Sequence, residues 1–225
     1  MELDAKIVER IWYGNSSWVS LLVPISALYG VVAEIRSRLY RRGIFRSVEV
    51  SVPVVIVGNL TIGGSGKSPL VISLVQLLVG AGYSPGVVSR GYQRITTDGP
   101  RLVHPQADVA TVGDEPLFVS RETGVPVVVD RNRVRGAQHL ADCCGVNIVI
   151  SDDGLQHLRM ARNVEIAVVD GERRFGNGRL LPAGPLREPA ERLASVDFIV
   201  TNGGEPLSGE YRMTTEIGGA VNLQT

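Results

Sequence analysis

Six short apolar runs, at residues 54–57, 86–89, 125–129, 146–150, 164–169 and 198–200, are spaced along the chain. They are too short and too continuously apolar for amphipathic helices and read as strands buried on both faces. Between several of them, residues 69–81, 115–122 and 132–144 carry apolar positions at helical spacing. Alternating strands and helices predict an α/β fold, a mostly parallel sheet with helices on both faces and ligands at the carboxyl ends of its strands.

The N-terminal pattern is different. Residues 11–33 contain no charged side chain and include Trp12, Tyr13, Trp18 and Tyr29; Arg36, Arg38, Arg41, Arg42 and Arg46 follow at once. Aromatics beside an apolar run and then a dense basic cluster suit an anionic membrane surface. No small-residue cleavage site marks a signal peptide. Gly14, Asn15, Ser16, Ser17, Ser20 and Pro24 weigh against a single spanning helix. An interfacial or shallowly inserted helical hairpin is expected, the alternative being an apolar helix packed on the domain itself. The division predicted is a membrane-associated helical segment at 1–46 and a nucleotide-binding α/β domain at 47–225.

Composition adds limits. At 225 residues the chain suffices for one large domain and an appendage, and its formal charge of zero gives no signal for nucleic acid. No feature calls for an obligate protein partner. Cys143 and Cys144 are adjacent in a predicted helix, a spacing for neither disulfide nor metal, and are expected to be buried reduced thiols.

The candidate chemistry falls at strand ends. Lys67, one of only two lysines, sits in Thr61-Ile62-Gly63-Gly64-Ser65-Gly66-Lys67-Ser68, between the first strand and a helix with Pro69 near its start. Glycines let successive N–H groups turn inward around a phosphate, a lysine reaches the outer phosphates, and the Ser68 hydroxyl can ligate Mg²⁺. The first glycine of the phosphate-loop consensus is replaced by Thr61. The strand at 146–150 runs into Asp152 and Asp153, a Walker-B arrangement for Mg²⁺. Asp114, opening the helix at 115–122, suits either an N-cap or a carboxylate that accepts a proton from an attacking hydroxyl. Arg131, Arg133 and Arg135 follow the strand at 125–129 and suit a phosphate. Arg90, Tyr92, Gln156 and His157 are at comparable ends and are expected to line the same cleft.

These motifs together resemble one family. The loop from Asn59 to Pro69, Ser89-Arg90-Gly91-Tyr92, Gly113-Asp114-Glu115-Pro116, Asp152-Asp153-Gly154-Leu155-Gln156-His157 and the run from Gly176 to Glu188 resemble, in order, the motifs of the tetraacyldisaccharide 4′-kinases, the lipid A kinases of Gram-negative bacteria. That family has threonine where Thr61 stands. The resemblance implies transfer of the γ-phosphate of ATP, with Mg²⁺, to the 4′-hydroxyl of a lipid A disaccharide precursor. It also implies a peripheral enzyme at the cytoplasmic face of the inner membrane. It puts the catalytic carboxylate on Asp114, with Arg133, Arg187 and Glu188 near the phosphates or sugar and Gln156 and His157 at the rim. Family members carry roughly a hundred further residues, an ordinary small-domain size, including a histidine paired with the aspartate that Asp114 matches. If Thr225 ends the natural protein, phosphoryl transfer is expected to be impaired while ATP binding persists. The competing reading is a membrane-associated regulatory ATPase. A guanine-specific switch is excluded, because neither lysine lies in an N-K-x-D pattern.

Overall fold

In the computed structural model, which describes residues 2–14, 18–91 and 99–215, each apolar run becomes a strand. Tyr92 lies outside the described residues. Helices α1 (Glu2–Tyr13) and α2 (Trp18–Arg41) precede β1 (Val54–Gly58), α3 (Lys67–Gly80), β2 (Pro85–Ser89) and β3 (Arg101–Leu102). Then come α4 (Val109–Val112), α5 (Asp114–Thr123), β4 (Val127–Val129), α6 (Arg133–Cys143), β5 (Ile148–Asp152), β6 (Val164–Asp170), a 3₁₀ turn (Ala190–Ser195), β7 (Phe198–Asn202) and β8 (Tyr211–Met213).

The sheet order is β3-β4-β2-β5-β1-β6-β7-β8, parallel throughout except for the antiparallel edge strand β3. Alternate side chains separate two cores, as the twofold period of a strand requires. Ile56, Val88, Val128 and Val149 face α6, with its Val134 and Leu140. Val57, Val87, Val127 and Ile150 face α3 and α5, with Val71, Val75 and Leu117. Covering on both faces is why these strands read as continuous apolar runs.

β1 lies between β5 and β6, pairing Ile56 with Ser151 and Val57 with Asp152. This pairing carries β5 past the apolar run, so Asp152 lies inside the strand. β3 and β8, three residues or fewer each, were not predicted. Their sequences are short and half polar. Cys143, expected to be buried, is exposed as the last residue of α6, and Cys144 beside it is half-buried; both are free thiols.

α2 is long and apolar enough to cross a membrane, with 6 % of its most apolar window buried. It docks by its polar and small positions. Ser26 Oγ donates to the Leu180 carbonyl at 2.7 Å, Tyr29 Oη to the Arg187 carbonyl at 2.9 Å, and Gly30 admits the Leu180 side chain. In α1, Trp12 Nε1 donates to the Pro182 carbonyl at 3.0 Å. Leu21, Ile25, Leu28, Val32 and Ile35 lie on the outer face, each more than half exposed. The ordinary amphipathic arrangement of a surface helix is inverted.

Candidate functional site

The phosphate loop leaves β1 at Gly58 and enters α3 at Lys67. Gly66 sits in the left-handed region at φ 86°, where a Cβ would run into Asn202 and Met213, and Gly63 is at φ 118°. The N-cap residue of α3 is Gly66, which has no side chain to cap it, so the first N–H groups of α3 face the loop with the positive end of the helix dipole behind them. Lys67 Nζ donates to Asn59 Oδ1 at 3.2 Å and stands 3.6 Å from Asp153 Oδ1. The outer edge of the loop is stitched to the Gly176–Glu188 motif: Ile62 N–H donates to the Pro185 carbonyl (2.9 Å) and Arg187 N–H to the Leu60 carbonyl (2.6 Å). Thr61 is buried and bridged to Leu186; Gly64 and Ile62 are exposed, Ser65 is buried and Ser68 half-buried.

Two consecutive acids close β5, and the backbone separates them. Asp152 is 2 % exposed, and its Oδ1 has no partner among the described residues. Burial first, then the nearby Glu115 carboxylate, pushes its carboxyl up to about 6. Asp153 adopts φ 51°, and this left-handed turn sends its side chain to the cations. Burial alone would raise its pKa, but Lys67, Arg187 and Arg133 outweigh that and hold it below the usual carboxylate range. Arg187 Nη1 lies 3.1 Å from both Asp153 oxygens and from Gln156 Oε1. Arg133, itself buried, donates from Nη2 to the Asp153 carbonyl at 2.8 Å, while its Nε has no partner among the described residues.

Of the arginines expected at a phosphate, only Arg133 turns into the cleft. Arg135 forks onto the buried Asp130 at 2.6 and 2.9 Å, and Arg131 is exposed. Asp114 is exposed at the first residue of α5, and its Oδ1 accepts the Glu115 N–H at 2.9 Å; the N-cap position belongs to Gly113. Arg90 is exposed just beyond β2, close enough to Arg133 to disfavour its charge.

At the rim, Gln156 Nε2 donates to the Asn59 carbonyl at 3.2 Å and to Glu188 Oε1 at 2.8 Å, and Arg36 Nη2 reaches the Gln156 carbonyl at 3.1 Å. Glu188 also faces Arg192 Nε at 3.4 Å. His157 is neutral at neutral pH: burial, then Arg133, Arg162 and Arg36, lower its pKa to about 4, and its Nε2 has no partner among the described residues. Asn59, Glu115, Tyr29 and Arg36 escaped the reading of single residues. Glu115 and Asn59 lie inside the sequence motifs; Tyr29 and Arg36 join the site only through tertiary packing.

A divalent cation fits this chemistry. A buried carboxylate oxygen without a partner, a second acid close to it and a hydroxyl on the first turn of α3 are hard oxygen donors of the kind Mg²⁺ takes. Asp153 is already engaged by Lys67 and Arg187. Among the described residues no cluster of three His, Cys, Asp or Glu forms a protein-only metal cage.

Known proteins are similar to this chain in sequence and in structure. The tetraacyldisaccharide 4′-kinase of Tolumonas auensis is 46 % identical over 220 residues, covering 97 % of this chain and 67 % of the relative. That of Shewanella amazonensis is 50 % identical over 214 residues, covering 95 % and 61 %. The crystal structure of "apo" form LpxK from Aquifex aeolicus in complex with ATP superimposes with a TM-score of 0.78 at 31 % identity, covering 88 % of this chain and 64 % of that one. The chain thus spans about three fifths to two thirds of the length of these relatives. The family described as tetraacyldisaccharide-1-P 4′-kinase matches residues 18–224, and the chain belongs to that family.

Proposed function

We propose that this protein is an ATP-dependent kinase that phosphorylates the 4′-hydroxyl of tetraacyldisaccharide 1-phosphate, forming lipid IVA in lipid A biosynthesis. The observation that carries the proposal is the buried Asp152 carboxylate, whose Oδ1 has no partner among the described residues, on β5, the neighbour of the strand that delivers the glycine loop and Lys67.

In this reading, residues 61–68 and Lys67 hold the β- and γ-phosphates. Asp152, Glu115 and Ser68 hold Mg²⁺, which would neutralise charge on the phosphate oxygens. Lys67 leaves Asp153 for the γ-phosphate, and Arg187 remains to balance the aspartate. Asp114 accepts the proton of the attacking 4′-hydroxyl as its oxygen bonds to the γ-phosphorus and the bond to the β-phosphate oxygen breaks, releasing ADP. Arg90, Arg133, Gln156, His157 and Glu188 line the sugar and phosphate side, with Tyr92 assigned there by its motif. The neutral His157 acts by hydrogen bonding rather than charge.

The membrane assignment rests on the inverted α2. Its exposed stripe of Leu21, Ile25, Leu28, Val32 and Ile35 faces the acyl region, and Arg38, Arg41 and Arg42 meet anionic headgroups. Residues 1–46 thereby seat the nucleotide domain, 47–225, peripherally at the cytoplasmic face of the inner membrane, where an acylated substrate resides.

Asp114→Asn separates the two roles open to Asp114. The amide oxygen can still accept the Glu115 N–H, but it cannot take a proton. ATP affinity is expected to stay within about threefold while kcat falls at least about 100-fold, read by mass spectrometry of lipid gaining one phosphate. An unchanged kcat would leave Asp114 only its structural bond from the Glu115 N–H.

A further inference from the structure

Two asparagines grip the carbonyls of the phosphate loop. Asn59, fully buried just after β1, donates from Nδ2 to the Gly63 carbonyl at 3.3 Å and accepts Lys67 Nζ on Oδ1 at 3.2 Å. Asn202, the last residue of β7, donates from Nδ2 to the Ser65 carbonyl at 3.3 Å and accepts the Thr215 hydroxyl on Oδ1 at 3.1 Å. The partners fix both amide orientations, since a carbonyl only accepts and an ammonium only donates. Asn202 is itself held, its backbone carbonyl accepting the Gly171 N–H at 2.9 Å and the next residue, Gly203, donating to the Met213 carbonyl at 3.0 Å.

In a trans peptide the C=O and the following N–H point in opposite directions, and the loop peptides are trans. Anchoring the Gly63 carbonyl on Asn59 therefore turns the Gly64 N–H the other way, and anchoring the Ser65 carbonyl on Asn202 does the same for the Gly66 N–H. A phosphate nest needs this arrangement, because a carbonyl turned inward repels the anion. Glycines 63, 64 and 66 have little conformational preference of their own, so the loop depends on external anchors to hold its peptide planes.

We propose that Asn59 and Asn202 are positioning residues that preset the peptide planes of the phosphate loop, Asn59 also holding Lys67 in place. The inference rests on reading this loop as a nucleotide-phosphate site. It assigns the carboxyl end of β7, two strands away from β1, a part in ATP binding.

The isosteric Asn202→Asp keeps the packing but replaces the donor with an acceptor facing the Ser65 carbonyl. Displacement of a fluorescent ATP analogue by MgATP and by adenosine is measured on wild type, Asn202→Asp, Asn202→Ser, Asn59→Asp and Lys67→Ala, with thermal melts of each. MgATP affinity is expected to fall about tenfold in each asparagine variant, the worth of one hydrogen bond to a charged group. Adenosine affinity is expected to stay within twofold. Asn202→Ser carries the same expectation without an added charge, and decides the matter if the aspartate variant does not fold. Wild-type MgATP affinity in the Asn202 variants alongside its loss in Lys67→Ala would overturn the latch and leave the phosphate site standing. So would equal losses for MgATP and adenosine. Wild-type affinity in Lys67→Ala would instead overturn the phosphate reading itself.

Discussion

Asp152→Asn is expected to stabilise the metal-free protein near neutral pH while removing its response to Mg²⁺. The wild-type carboxyl is held at about 6 against an ordinary 3.8, by burial first and then by Glu115. Between those values the native state binds more protons than the unfolded chain, so stability falls as pH rises through the window. By pH 7.5 the accumulated cost is about 3 kcal/mol, from roughly 1.4 kcal/mol per pH unit, and about half of it is already present at pH 5. An asparagine has no such term, although its buried amide brings a pH-independent penalty of about 1 kcal/mol. The informative quantity is therefore the change with pH. From pH 5 to pH 7.5, in chelator, the variant should gain on wild type by about 1–2 kcal/mol, or roughly 2–8 °C in Tm for a chain of this size. Adding Mg²⁺ with ATP should reverse the order, because the cation stabilises only the carboxylate. Melting curves at the two pH values measure both effects. A wild-type-to-variant gap that stays flat with pH would refute the claim that Asp152 is strained by burial.

Three further outcomes follow from separate contacts. Gly66→Ala places a Cβ at φ 86° against Asn202 and Met213; a loss of about 2 kcal/mol in stability and at least tenfold in ATP affinity is expected by denaturant titration and calorimetry. Glu210, forked onto Arg174 at 2.7 and 2.8 Å and bonded to Thr201, is held at about 2 chiefly by the Arg174 hydrogen bond. Glu210→Gln should cost about 2–3 kcal/mol at neutral pH, and the penalty should shrink as pH falls from its ordinary 4.5 toward 2, where wild type loses the same charge. Leu28→Glu with Val32→Glu should abolish co-sedimentation with anionic vesicles yet shift stability by less than about 0.5 kcal/mol, since both side chains are exposed; retained vesicle binding would remove the role given to α2.

The glycine turn from β1 into α3 at Lys67 was legible because it is built from neighbours in sequence, and the central strands because burial on both faces leaves an unbroken apolar signal. Asp152 and Asp153 read alike as sequence. Only the left-handed turn at Asp153 sends one carboxylate to Lys67 and Arg187 and leaves the other buried. Arg135 looked like a phosphate ligand, yet its fork closes on Asp130, five residues back, where the chain turns from β4 into α6. Tyr29, Arg36 and Asn202 meet the site across 120 to 158 residues, and no local pattern announces such contacts. The apolar run at 11–33 predicted a membrane-facing segment, but which face of α2 turns outward depended on Ser26, Tyr29 and Gly30 finding partners in the domain.

The most direct test follows the γ-phosphate. ATP labelled there is incubated with the protein, Mg²⁺ and tetraacyldisaccharide 1-phosphate in mixed micelles, and the label is partitioned between lipid and inorganic phosphate. Label in the lipid, lost in Lys67→Ala and Asp114→Asn, is the expected result. Label released as inorganic phosphate at a rate indifferent to the lipid would contradict the account and mark the protein as an ATPase.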